Sequence, residues 1–130
     1  LTDVTGVQTC ALPIFLEASI KAIPTGKQNS FAAQNPPSFI MAVVRNNGAT
    51  WSLANAFEKP VFPQGNQSLL EASVVALDKY WGEIQEFFGN DVKPLISMIG
   101  IKVDLPNLNT QVIPQMKTWI DRTLAEVSKE

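Results

Sequence analysis

The segment that most constrains this chain is "SLLEASVVALDKYWGEIQEFF", Ser68 to Phe88. Ser68 and Glu71 stand at the spacing of a capping box, in which the Ser hydroxyl accepts from a backbone N–H and the Glu carboxylate reaches back. Leu70, Val74, Leu77, Trp81, Ile84 and Phe88 then step by fours and threes, giving one wide apolar stripe. Gly89-Asn90 ends it, since both residues tolerate the left-handed conformation. A helix this long must lay its stripe on something, and its neighbours read as strands. "SFIMAVVR", Ser38 to Arg45, is a short unbroken apolar run bounded by Pro37 and by Asn46-Asn47-Gly48. That pattern predicts a strand covered on both faces and closed by a turn. Trp51 to Leu53 reads as a second short strand, before an ordered loop with Pro60 and Pro63. Leu95 to Val103 reads as another, weakened in the middle by Gly100.

Two more helices frame these elements. Leu16, Ile20 and Ile23 follow helical spacing until Pro24 stops the run, so "FLEASIKAIP" reads as the last turns of a helix. The closing helix is expected from about Ile113 to Val127, with Pro114 near its first turn. Its stripe is Ile113, Met116, Ile120, Leu124 and Val127. Between Pro24 and Ser38, "TGKQNSFAAQNPP" has the composition of a loop. The order helix, strand, short strand, helix, strand, helix suggests α+β rather than a doubly wound sheet.

The first residues do not join this pattern. Val4 to Phe15 fit neither a helix nor a strand template. They fail as a secretory signal, because no Lys or Arg precedes them and Pro13 interrupts the short apolar core. No stretch reaches the roughly 20 apolar residues of a membrane span. Val4 to Ile14 can be written codon for codon as a common short-read sequencing adapter translated in frame. Residues 1–14 are therefore read as a non-native scar, and residues 15–130 as the C-terminal part of a single domain that has lost its upstream sequence.

Setting the scar aside leaves an almost neutral chain. The whole sequence carries 10 Lys and Arg against 12 Asp and Glu, and only Asp3 among the charges falls in the first 14 residues. Bulk charge therefore gives no reason to expect nucleic acid. There is no His, and the single cysteine, Cys10, lies in the scar. Zinc sites, thiolate chemistry and Ser-His or Cys-His nucleophiles are all excluded from the remainder. Catalysis would have to run on carboxylates, Lys or Tyr80, and no constellation of them points to it. The reading is a protein that is not an enzyme and uses no metal or cofactor.

Three places carry a functional reading beside a structural one. In "TGKQNS", Lys27 follows Gly26 and precedes Gln28, Asn29 and Ser30. A Gly that lets the backbone approach, a cation, amides and a hydroxyl suit a phosphate or a sugar hydroxyl. The loop lacks the second Gly and the Lys-Ser/Thr pair of a Walker A motif. In "LANAFEKP", Asn55, Glu58 and Lys59 could hold a ligand, although such residues more often tie a loop together and stay solvated. Glu83 and Glu86 lie off the apolar stripe beside Lys79, as on a solvated face. Tyr80, Trp81, Phe87 and Phe88 are at helical spacing and read mostly as core.

"AIPTGKQNSFAAQNPPSFIMAVV", then "SLANAFEKPV", then "LLEASVVALDKYWGEI", resembles the C-terminal part of the backbone subunit of the type I-E CRISPR surveillance complex (Cascade), the CasC-type family. The likeness is good from Ala22 to Trp81 and looser beyond Asn90, returning around Lys117, Trp119 and Ile120. It implies a modified RNA-recognition-motif palm of ferredoxin-like α+β fold, incomplete here. It also implies antiviral defence in the cytoplasm, away from membranes. In this family, copies stack head to tail along the guide (crRNA) beside other Cascade subunits. They grip its backbone and leave bases free to pair with target DNA. Gly26, Lys27, Gln28, Asn29 and Ser30 become candidates for guide contact. Asn55, Glu58 and Lys59 become candidates for shaping the palm or meeting a neighbouring subunit. Near-neutrality fits a phosphate-gripping surface poorly. The family's basic surface lies largely upstream, so residues 15–130 alone are expected to bind guide RNA weakly. Two rivals remain: an unrelated α+β interaction module without nucleic acid, and a carboxylate enzyme pairing Glu58 with another acid.

Overall fold

The computed structural model describes residues 11–22, 36–45, 48, 50–89, 92–108 and 111–128. The elements are α1 (Leu12–Lys21), β1 (Phe39–Val44), a 3-10 helix (Leu53–Phe57), α2 (Leu69–Phe88), β2 (Lys93–Met98) and α3 (Met116–Val127). The fold is α+β, as the order of patterns suggested. β1 and β2 form a two-stranded antiparallel sheet, with Phe39 opposite Met98 and Val44 opposite Lys93.

Strand alternation sorts the core into two layers. Phe39, Met41 and Val43 pack with Val74 and Trp81 of α2, together with Trp51, Leu53, Leu105 and Leu108. Ile40, Ala42 and Val44 pack on the other side with Trp119 and Ile120 of α3, and with Leu16 and Ile20 of α1. Successive side chains of one strand point to opposite faces, so β1 is covered on both, as its unbroken apolar run required. Yet all six of its residues stay half-buried, whereas Pro94 to Ser97 of β2 are buried.

The α2 capping box forms as the sequence predicts. Ser68 Oγ accepts from Glu71 N at 3.1 Å, and Glu71 Oε2 accepts from Ser68 N at 2.8 Å. Such a cap contributes about 1 kcal/mol. The stripe is buried only in its middle, at Val74, Leu77, Trp81 and Ile84, while Leu70 and Phe88 are exposed. The sheet is too short to cover both ends.

Several boundaries differ from expectation. α1 begins at Leu12, with Pro13 in its first turn, so the helix takes in Leu12 to Ile14 from the segment read as a scar. Its last turn closes at Ala22, whose N–H donates to the Ala18 carbonyl; Ile23 and Pro24 lie outside the described residues. Trp51 to Leu53 is not a strand. Ser52 is extended but the chain turns at once into the 3-10 helix, and Trp51 packs its ring on Trp81 instead of pairing in a ladder. β2 starts earlier than predicted, at Lys93, and ends before Gly100, whose φ of 72° stops a strand. α3 starts at Met116, not Ile113. The Ile113 N–H is engaged elsewhere, donating to the Ile96 carbonyl at 2.8 Å.

A buried carboxylate fixes the loop between β2 and α3. Asp78 of α2 accepts from the backbone N–H groups of Asn107 at 3.0 Å and Leu108 at 2.9 Å, and from Asn107 Nδ2 at 3.1 Å. Gly82, one turn on, makes room for this contact: a Cβ there would lie 2.7 Å from Asn107 Nδ2. Leu105 and Leu108 are thereby driven fully into the α2 layer.

Candidate functional site

The loop singled out in the sequence, Gly26 to Ser30, lies outside the described residues. Its described flanks are the end of α1 and the Pro36-Pro37 approach to β1. Both border a cleft of about 250 Å³ that Ile20, Ile40, Ile99 and Met116 make largely apolar. Lys21 at its rim pairs with Glu17 one turn back. The hydrogen bond from Lys21, then its charge, holds the Glu17 carboxyl below the usual carboxylate range. This cleft offers packing, not phosphate chemistry.

Asn55, Glu58 and Lys59 all lie on the exposed side of the 3-10 helix and the turn after it. The Asn55 carbonyl accepts from Glu58 N at 3.2 Å, which closes the turn through the backbone. Among the described residues, no ion pair joins Glu58 or Lys59 to a partner. Glu83 and Glu86 are solvated, as read from the sequence, on a shallow surface that also carries Lys79 and Asp104. No group of three His, Cys, Asp or Glu among the described residues is placed to hold a metal ion. None of the described helices is long and apolar enough to cross a membrane.

The feature that sequence reading missed is a groove of about 560 Å³ beside β1. Its floor is Met41 to Arg45; Gly48, Trp51 and Leu53 form one wall, and Thr123, Glu126 and Val127 of α3 the other. Met41 to Val44 are four consecutive strand residues that alternate between faces, so a groove bordered by all of them, and by Arg45 after them, runs along the strand's edge. At one end the Arg45 guanidinium lies 4.1 Å from the centre of the Trp51 ring, a cation–π contact worth about 0.5–1 kcal/mol or more. Gly48, at φ 91°, permits that seat: a Cβ there would come 3.1 Å from Arg45 Nη2.

Trp51 continues into an aromatic run. Its ring centre is 6.2 Å from that of Trp81 and 5.2 Å from that of Phe88, which in turn meets Phe87 at 4.8 Å. The expectation that these aromatics are mostly core holds for Trp81 but not for the helix end, where Phe87 is 82% exposed. The sheet's two strands do not extend under the last turn of α2. The only sequence signal was the Asn46-Asn47-Gly48 string between Arg45 and Trp51, a composition that favours a turn; Asn46 and Asn47 lie outside the described residues.

Comparison with known proteins adds an independent measure. The family model described as CT1975-like protein matches residues 3–122. That range includes most of the segment read as a scar. Two solved chains share the fold, each at 27% identity over 95% of this chain. One, from a "CRISPR RNA-guided surveillance complex", gives a TM-score of 0.80 and is covered over 45% of its length. The other, from such a complex in a "pre-nicking" state, gives 0.81 and is covered over 35%. This chain therefore spans less than half of each. No curated protein matches.

Proposed function

Because the chain belongs to the CT1975-like protein family, we propose that it forms part of a subunit of a CRISPR RNA-guided surveillance complex. The observation that carries this reading is the shared fold: TM-scores of 0.80 and 0.81 over 95% of the chain, with chains of complexes so described. Within such a complex the reading is a type I-E backbone subunit that is not an enzyme. Copies repeat head to tail along the crRNA, hold its phosphates and leave its bases to find target DNA. The other subunits of the complex are its partners, and it works in the cytoplasm.

The residues assigned to the guide are Gly26, Lys27, Gln28, Asn29 and Ser30. Lys27 supplies a cation for a phosphate oxygen, while Gln28, Asn29 and Ser30 supply donors for phosphate and ribose. The assignment rests on that chemistry and on the family likeness. Asn55, Glu58 and Lys59 are assigned to contact with the neighbouring subunit, a role that their shared exposed face supports.

The test is purification of the full-length natural polypeptide from its own host, followed by nucleic-acid extraction. A discrete crRNA that resists added ribonuclease is the expected result. Replacing Lys27 by Ala should weaken binding and flatten its salt dependence, since each phosphate that goes unneutralised reduces the slope by about one. Purification without RNA, with the Lys27→Ala protein indistinguishable, would instead favour the rival protein-interaction module. That rival draws on the exposed Phe87 and Phe88.

A further inference from the structure

We draw no further inference here: the strongest candidate, the exposed aromatic patch that Phe87 and Phe88 make at the end of α2 beside Trp51, is an unpartnered apolar face, and nothing in the structure shows what covers it.

Discussion

β1 and β2 are six residues each, paired in full register, yet they live differently. β2 has its core residues buried, a proline and a bridge on its outer edge, and the indole of Trp119 donating to its Leu95 carbonyl at 2.9 Å. β1 has apolar contacts on both faces and nothing described along its side. The difference teaches that burial on two faces does not finish a strand. The backbone has its own demand for partners; on the outer edge of β2 it is met at Ile96, and among the described residues no strand pairs with the outer edge of β1. Stability should therefore concentrate in β2 and the contacts that close its outer edge.

Substitution in the two strands breaks or upholds that contrast most directly. Ile96 is fully buried and central to the α2 layer. Ile96→Ala should cost about 2–5 kcal/mol, combining lost transfer energy with the cavity left behind. Met41, its cross-strand partner, is only half-buried, so Met41→Ala should cost less than half as much. Urea unfolding of the two variants measures both. Equal costs would mean that β1 is as integral to this chain as β2, and the contrast would fail.

Next in size is the guard of the β2 edge. Asp78 fixes Asn107 and Leu108, which lead into Val112 and Ile113. Asp78→Ala removes a charged acceptor from two backbone N–H groups, one of them buried, and should destabilise by about 2–3 kcal/mol. Beyond the global loss, the Ile113 amide should exchange faster in this variant than the amides of β1, because the loop that presents it has lost its anchor. A uniform change would separate Asp78 from the edge and make it a staple of α2 alone.

What the sequence disclosed divides along the same line. α2 was legible almost to the residue, because a capping box, a stripe and a terminal Gly are all local. The two faces of β1 were legible from its unbroken apolar run. The start of β2 was not, since Pro94 argues against a strand unless one knows that its N–H position faces outward. Nor was the seating of Arg45 on Trp51, or the grip of Asp78 on Asn107 and Leu108, because each joins residues whose meeting depends on the completed fold. The site residues Gly26 to Ser30 rest on chemistry and likeness, and Asn55, Glu58 and Lys59 share only an exposed face.

The smallest expected effect is also the most discriminating. Trp119 is buried in the α3 layer, and its Nε1–H donates to the Leu95 carbonyl. In the ladder pattern that carbonyl already receives the Ala42 N–H, so the indole is its second donor. Trp119→Phe removes the second donor and leaves the first, and should cost about 1 kcal/mol for the hydrogen bond beyond whatever volume is lost. The spectral environment of Leu95 should change while that of Met41 and Val43 does not, because the missing bond lies on the inward side of β2. An amide NMR comparison of the two proteins reads this directly. Shifts confined to β2 and α3 would mean that the closed strand and the open edge are set independently. Shifts reaching Met41 and Val43 would mean that α3 props the open edge as well, so that the groove's shape depends on the strand opposite it.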